Sequence, residues 1–418
     1  MKGKIWKIVG LLSIVIFMLS TAASAHAASL TTTIPTHVTP IGVLYDPAMH
    51  EIFVSNYDSG DIQVISDSTN QQVADITALT QYAGAPYNMA YDSGKGEIWV
   101  ADATGAYAIS DATNQVVANV TTNAPPSWGT LTQAIYDPKS GEVFISYSDF
   151  NGASTPYIQV ISDSSNTIIA NLTQAAITGI VDDSAKSEIF ASQYLDSSGS
   201  ISGNVYVISA QTNAVTATIP LGGIPGGAAY DSVKGEIFVA NSIWKSGGYS
   251  NVIEVISDST NKITATINAP TSVSGPMTYN PDKGEIYMNE GASVAIISDK
   301  TNNVVGTVNT NGTISSSEGI AYDSGTSTVY AINNPGSLAG YMGSLAVISD
   351  PSSSTGTSNP TSTLPPSTGT SSSASPATSP TVPEFSSPAL ALIAAALVAA
   401  TLCTVAFARK KQRLDTHK

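Results

Sequence analysis

The sequence predicts an all-β protein, a seven-bladed β-propeller of four-stranded blades whose last blade is closed by the N-terminal strand, plus one C-terminal transmembrane helix. Two observations predict the propeller. A unit of apolar runs and polar turns, first met in residues 44–76, returns six more times. A repeat period of 20–50 residues is typical of propellers and solenoids. Charged residues make up only 11% of the chain. This low content is typical of proteins built from short strands, because helical proteins are rich in Leu, Glu, Lys and Arg.

Each unit begins with a Tyr-Asp-like pair. In the first six units a Glu follows five residues after the second member of the pair. The pairs start at Tyr45, Tyr91, Tyr136, Asp182, Tyr230, Tyr279 and Tyr322. The third apolar run ends at Asp67, Asp111, Asp163, Ala210, Asp258, Asp299 and Asp350, and in six units a turn with Asn follows. Asp and Asn side chains hold tight turns, and Asn tolerates positive φ. We therefore expect these recurring residues to be blade architecture rather than a binding site.

Closure of the ring is also predicted from the repeats. The strands carry apolar residues on both faces, as expected of sheets packed between similar sheets. The seventh unit stops at Asp350 before its fourth strand, and the segment LTTTIP at Leu30–Pro35 resembles the missing strand. An N-terminal strand paired into the last blade leaves no open edge. The predicted propeller spans residues 29–350, with repeats near 41–79, 86–122, 131–174, 177–222, 225–270, 274–312 and 317–350.

Several repeat segments resemble a known family. They are FVSN at Phe53, FVAN at Phe238, VISDSTN at Val64 and Val255, and TATI at Thr264. This part of the chain resembles the YVTN-type β-propeller repeat family. The resemblance implies a propeller of the kind found in secreted and surface-layer proteins of archaea and bacteria, and it implies no defined reaction.

The two ends of the chain predict export and anchoring. Residues 1–28 have the basic start, apolar middle and small-residue end of a signal peptide, with an uncleaved anchor as the alternative. Residues 351–387 form a spacer rich in Ser, Thr and Pro that we expect to be disordered. Residues 388–408 are apolar and long enough to span a membrane, and the basic residues of 409–418 place the tail in the cytoplasm. The segment VPEF at Val382 also resembles PEF-type archaeal sorting signals.

Charge and cysteine content exclude several classes of function. Between residues 29 and 350 there are 29 Asp and Glu against eight Lys and no Arg, so the net charge is 8 − 29 = −21. Nucleic-acid binding needs basic patches and is not expected. Cys403 is the only cysteine, so no disulfide framework forms. No motif for a catalytic or metal site is recognisable. We expect no cofactor; the alternative is calcium at the acidic turn of residues 56–61.

Residues that break the repeat are the candidates for binding. Insertions between the second and third strands, together with connections between blades, carry aromatic side chains that we expect to share one face. The candidate binding residues are Tyr87, Trp128, Tyr147, Phe150, Tyr194, Trp244, Tyr249 and Tyr341. Aromatic rings beside Ser, Gly and Asn suit carbohydrate stacking or protein contact; the alternative is that they only cover the propeller rim. Sequons mark three candidate glycosylation sites at Asn119, Asn171 and Asn311.

Together these features predict a non-enzymatic, membrane-anchored propeller on the cell surface, serving adhesion, envelope structure or ligand binding. The expected partners are envelope or surface proteins or glycans, and the membrane through the C-terminal helix. The alternative is an extracellular propeller enzyme, such as a lyase, a lactonase or a quinoprotein dehydrogenase, that acts at the central channel or the loop face.

Overall fold

A computed structural model of the chain describes residues 28–77, 79, 85–102, 105–121, 131–148, 158–174, 177–197, 200–246, 248–269, 275–312, 316–334 and 341–350. All of them belong to one compact unit, Met1–Thr355. The predicted signal peptide up to residue 27, the spacer, the transmembrane segment and the basic tail lie outside the described residues. Within the described ranges, no helix has the length and apolar character that spanning a bilayer requires.

Twenty-eight β-strands build seven sheets of four strands each, as the repeats predict. Blade 1 holds β2 (Pro40–Asp46), β3 (Glu51–Asn56), β4 (Asp61–Ser66) and β5 (Gln72–Ile76). Blade 2 holds β6 (Pro86–Asp92), β7 (Glu97–Asp102), β8 (Gly105–Ser110) and β9 (Gln115–Thr121). Blade 3 holds β10 (Leu131–Asp137), β11 (Glu142–Ser148), β12 (Ile158–Ser162) and β13 (Thr167–Leu172).

The remaining blades repeat this plan. Blade 4 holds β14 (Ile177–Asp183), β15 (Glu188–Ser197), β16 (Ser200–Ser209) and β17 (Ala214–Pro220). Blade 5 holds β18 (Ile224–Asp231), β19 (Glu236–Lys245), β20 (Gly248–Ser257) and β21 (Lys262–Asn268). Blade 6 holds β22 (Met277–Asn280), β23 (Glu285–Asn289), β24 (Ser293–Ser298) and β25 (Asn303–Asn309). Blade 7 holds β26 (Ser316–Asp323), β27 (Thr328–Asn334), β28 (Met342–Ser349) and β1 (Ser29–Val38).

The ring is closed at both its centre and its rim. The first strand of each blade packs against the first strands of both neighbouring blades, and β26 of blade 7 contacts β2 of blade 1. At the rim, β1 pairs antiparallel with β28, with Ile34 opposite Leu345. The predicted seven-bladed fold with N-terminal closure is thereby confirmed.

The hydrophobic core is divided among the spaces between blades. Seven clusters of buried side chains, taken over the described residues, each lie between two neighbouring blades. The second and third strands are buried on both faces; in β3 the five residues from Ile52 to Asn56 are all buried. A fully buried Phe or Ile side chain stabilises the fold by about 1.5–3 kcal/mol, so stacking of blades holds the ring together.

The fourth strands differ from the inner ones because their outer surface meets solvent. In β9, β17 and β25 exposed and partly buried residues alternate along the strand. This period-two pattern is expected when only one face of a strand is covered. The sequence suggested that all four strands of a blade are apolar on both faces. This holds for the two middle strands and not for the fourth strands at the rim.

Two recurring residue types form the turns that the sequence assigned to them. The asparagines that follow the third strands of blades 1 to 6 have φ between 50° and 56°, at Asn70, Asn114, Asn166, Asn213, Asn261 and Asn302. Asn is one of the few residues that occupy this left-handed region readily. In the turn after β2, Asp46 accepts hydrogen bonds from the backbone N–H of Ala48 at 2.8 Å and of Met49 at 3.3 Å. These residues are structural, as expected.

Candidate functional site

The two faces of the propeller carry different connections. Because the strands of a blade run antiparallel, the link between its second and third strands emerges on the same side as the connection to the next blade. We call this side the loop face. The opposite side, which we call the turn face, carries the tight turns after the first and third strands. Sequence variation between repeats is concentrated on the loop face, where binding residues are expected.

The insertions in blades 4 and 5 extend the strands instead of forming free loops. In blade 1 the pairing of β3 with β4 ends at Asn56 opposite Asp61. In blade 4 the pairing continues to Ser197 opposite Ser200, and in blade 5 to Lys245 opposite Gly248. Two β-hairpins therefore project beyond the level at which the blade 1 strands end.

The blade 5 hairpin carries an exposed aromatic pair. Trp244 and Tyr249 are direct cross-strand partners, and their ring centroids lie 4.9 Å apart at an interplanar angle of 74°. The side chains remain 63% and 51% exposed. An edge-to-face contact of this kind stabilises an aromatic pair by about 0.5–1.5 kcal/mol, so the hairpin presents two mutually oriented rings to solvent.

The other predicted aromatic residues are distributed differently. Tyr341 is 53% exposed beside Met342, which is 63% exposed, and Tyr194 on the blade 4 hairpin is half-buried. Tyr147 lies on β11 opposite Thr132. Trp128 and Phe150 lie outside the described residues.

Tyr87 belongs to the channel and not to an exposed aromatic surface. The sequence placed it in an inter-blade connection, whereas it lies on β6 and is only 7% exposed. Its ring packs against Tyr57 with centroids 4.9 Å apart. Burial, followed by the neighbouring Tyr57 hydroxyl, raises the pKa of the Tyr87 phenol well above its usual range.

The cavity in the central channel is lined by uncharged side chains, as far as the described residues show. A cavity of about 280 Å³ is lined by first-strand residues such as Ile41, Val43, Met89 and Met277, with Asn88 and Gln133 among the polar ones. No Asp, Glu, His, Lys or Arg is present among the described residues of this lining. The first strands approach closely here; a Cβ on Gly227 would lie 2.3 Å from the carbonyl oxygen of Gly275. Among the described residues, this lining lacks the imidazole, carboxylate and ammonium groups that most often serve in general acid–base catalysis.

The turn face carries a ring of inter-blade polar contacts that sequence reasoning missed. In blades 2, 3, 5 and 6 the marker tyrosine donates a hydrogen bond to the Asp at the end of the same blade's third strand, as Tyr136 does to Asp163 at 3.1 Å. A lysine of the preceding blade approaches the same kind of Asp, as Lys186 does to Asp258 at 2.8 Å. The signal was present in the sequence as a Lys three residues after the marker Asp, or after Asn280 in blade 6, found at Lys95, Lys186, Lys234 and Lys283.

Blade 4 departs from this pattern and holds an unusual carboxyl group. Asp182 replaces the marker tyrosine, and Ala210 replaces the third-strand Asp. Burial raises the pKa of Asp182 to about 8, with further contributions from the charges of Asp137 and Asp183. The adjacent Asp183 is fully buried and lies 3.9 Å from Lys186. The two aspartates have different neighbours, so they do not form the paired carboxylates of an acid–base site.

The three sequons lie at or beyond the outermost strands. Asn119 on β9 and Asn171 on β13 are exposed, as is Asn311, which follows β25. The Asn171 side chain accepts a hydrogen bond from Gln159 at 3.1 Å. These positions are accessible, as N-linked glycans require.

Comparison with known proteins supports the fold and no particular activity. No family model matches the chain, and no curated protein matches it. Among solved structures, a chain of Kuenenia stuttgartiensis hydrazine synthase is similar, with a TM-score of 0.59 and 14% sequence identity. The match covers 73% of this chain and 95% of that chain. Likeness at this identity shows the fold alone. The described chain is a seven-bladed β-propeller.

Proposed function

We propose that this protein is a non-enzymatic binding propeller displayed on the cell surface and anchored in the membrane by its C-terminal segment, and that its loop face holds surface glycans. The observation that carries the proposal is the solvent-exposed Trp244–Tyr249 pair on the projecting hairpin of blade 5. Aromatic rings held at an exposed site stack readily on sugar rings, which have apolar faces and polar edges.

The chemistry of the remaining described surface agrees with binding rather than catalysis. The described residues that line the channel cavity are uncharged, and the recurring aspartates are engaged in turns and inter-blade contacts. Enzymatic propellers act through convergent polar groups, and the described residues of this channel offer amides, hydroxyls and apolar groups.

Surface display rests on the sequence at both ends of the chain. The order of segments along the chain is typical of an exported, single-pass membrane protein. It comprises the basic and apolar residues of 1–28, the Ser, Thr and Pro-rich segment of 351–387, and the apolar residues of 388–408 followed by a basic tail. The net charge of −21 between residues 29 and 350 suits a solvated external surface. The YVTN-like repeats and the VPEF segment agree with an envelope location.

Display and binding are tested separately. For display, protease treatment of intact cells that express the full chain is expected to release propeller fragments, and an intact protein after treatment would contradict it. For binding, the full chain is applied to an array of polysaccharides and to isolated cell envelopes. We expect retention on a subset of glycans and loss of at least about tenfold in affinity for the double variant Trp244→Ala/Tyr249→Ala.

The matched control is Val233→Ser. Val233 is 68% exposed and belongs to the same blade, but it lies in the turn after β18 on the turn face. This variant is expected to bind like the unmodified protein. Equal binding by the double variant and the unmodified chain would reject the aromatic pair as the binding site, and retention only on deglycosylated envelopes would indicate a protein ligand.

A further inference from the structure

A second candidate site lies where the ring closes and involves one of the two histidines of the described propeller. His37 on β1, Asp61 at the start of β4 and Asp75 on β5 each present a ligand atom, and all three atoms lie within 4.8 Å of one another. The Nδ1 atom of His37 lies 3.0 Å from Oδ1 of Asp61. These residues come from the closing strand and from two strands of blade 1, so they are distant in sequence and converge only in the fold.

The buried carboxylate of this group is held in position by its neighbours. Asp61 is 8% exposed, and Oδ1 of Asp61 accepts a hydrogen bond from Nδ2 of Asn56 at 2.8 Å. Asn56 is fully buried. Hydrogen bonds from such surrounding groups orient the ligands of metal sites and increase affinity. The first donor of the triad is therefore preorganised.

The backbone around the triad is fixed as well. The N–H of Val38 donates to the hydroxyl of Ser59 at 2.8 Å, and the N–H of Tyr57 donates to the carbonyl of Thr39 at 2.8 Å. Nε2 of Gln63 donates to the carbonyl of Pro35 at 3.2 Å. These contacts connect β1 to blade 1 on both sides of His37. The backbone that carries the imidazole is therefore held in place against blade 1.

The charge of this region is not balanced by fixed cations. Residues 29–94 contain seven Asp and Glu and no Lys or Arg. A bound cation would supply positive charge that the sequence of this blade does not.

We infer that His37, Asp61 and Asp75 bind one divalent transition-metal ion of the zinc type. One imidazole nitrogen and two carboxylate oxygens form a donor set that Zn²⁺ accepts at about 2.0–2.2 Å, with water completing the coordination. Tetrahedral donors at that distance lie about 3.3 Å apart, so the His37–Asp61 pair already has the required spacing. The exposed Asp75 side chain closes the remaining gap by rotation. Ca²⁺ prefers six to eight oxygen ligands and is disfavoured by the imidazole.

The ion would cross-link blades 7 and 1 at the point where the ring closes. It would connect the closing strand of blade 7 to the third and fourth strands of blade 1, which otherwise meet through the hydrogen bonds described above. Because such a site exists only in the closed propeller, metal binding is coupled to folding. Added Zn²⁺ is therefore expected to raise the melting temperature of the full chain.

The test uses the full chain freed of metal by chelation and then dialysed. Titration with Zn²⁺ is expected to show one site in calorimetry, and Co²⁺ is expected to give a visible absorption band from its bound form. His37→Ala and, separately, Asp75→Asn are expected to weaken Zn²⁺ binding by at least about 10–100-fold. Asp75 is exposed, so this second variant keeps the test valid if His37→Ala is poorly folded.

The matched control is His50→Ala. Nδ1 of His50 lies 3.2 Å from Oδ2 of Asp67, a pair similar to His37–Asp61 but without a third ligand among the described residues. This variant is expected to keep the Zn²⁺ affinity and the rise in melting temperature. Absence of Zn²⁺ and Co²⁺ binding, unchanged binding by both site variants, or binding of Ca²⁺ in preference to Zn²⁺ would each overturn the assignment.

Discussion

Ile34 of the N-terminal strand lies opposite Leu345 of the last strand in the β-ladder that closes the ring. Both side chains are buried in the cluster between blades 7 and 1, together with Tyr45 and Ile52 of blade 1. The N-terminal strand β1 is therefore packed against the last strand, β28, and against the first complete blade. Ring closure is a hydrophobic contact as well as a set of backbone hydrogen bonds.

Loss of the closing contact is expected to destabilise the whole propeller. Truncation of a buried Ile to Ala costs about 2–5 kcal/mol through lost burial and the cavity left behind, so Ile34→Ala should lower the free energy of unfolding by this amount. The exposed neighbour Thr33 is on the other side of the same strand, and Thr33→Ala should change it by less than about 0.5 kcal/mol. Urea denaturation followed by tryptophan fluorescence measures both. Equal effects of the two substitutions would contradict hydrophobic closure.

Contact between blades 2 and 3 depends on one large side chain. Trp99 on β7 is fully buried and packs with Tyr136 and Val143 of the next blade. Trp99→Ala is expected to reduce the free energy of unfolding by about 3–5 kcal/mol. Trp244→Ala removes the same atoms from a side chain that is 63% exposed, and it should leave the melting temperature nearly unchanged. Differential scanning calorimetry distinguishes the two, and a stable Trp99→Ala protein would refute the importance of this contact.

Stability is expected to decrease as pH rises through neutrality. Burial and nearby negative charge raise the pKa of Asp182 to about 8, far above its ordinary value near 4. Between about pH 4 and pH 8 the folded carboxyl holds a proton that the unfolded one has released, so the free energy of unfolding falls with rising pH. Burial also raises the pKa of Glu97 and Glu142, which acts in the same direction.

Replacement of Asp182 tests the origin of this slope. Asp182→Asn keeps the shape but removes the titration, so the melting temperature should depend less steeply on pH between 4 and 8. Asp58→Asn changes an exposed carboxylate on the other side of the ring and should leave the slope as it is. Melting curves at a series of pH values compare the two. A slope unaltered by Asp182→Asn would show that Asp182 does not hold a proton.

The turn before β25 is expected to tolerate glycine better than alanine. Asn302 has φ of 50°, a conformation that costs an ordinary L-residue about 1–2 kcal/mol. Asn302→Ala should therefore destabilise the protein by about 1 kcal/mol, whereas Asn302→Gly should be close to neutral because glycine has no Cβ. Chemical denaturation of the two variants provides the measurement. Equal destabilisation by Ala and Gly would show that the turn needs the Asn side chain, and greater destabilisation by Gly than by Ala would contradict the argument from φ.

The repeat pattern was sufficient for the fold because each blade uses the same local signals. The marker Asp, the turn Asn and the apolar runs lie at fixed positions in the unit, and each determines a turn or a buried strand through interactions within a few residues. The incomplete seventh unit and the matching segment at Leu30–Pro35 likewise identified the closing strand. Local chemistry repeated seven times leaves few alternative arrangements.

The candidate sites were predicted only in part because they depend on exposure and on long-range proximity. Trp244 and Tyr249 were identified as aromatic residues in an insertion, but their pairing depends on the register of the extended hairpin. Tyr87 was expected in a connection between blades, and the structure places it near the start of β6, buried beside the channel. The Lys186–Asp258 contact between blades was not foreseen.

By itself, the sequence determined the number of blades, the turn residues and the way the ring closes, because these follow from interactions between neighbouring residues and from the burial of repeated apolar faces. Only the tertiary structure decided which polar and aromatic side chains meet. His37 comes within 3.0 Å of Asp61 although 24 residues separate them, because the closing strand is held against blade 1. That convergence depends on how the strands of neighbouring blades are packed, which no local pattern specifies.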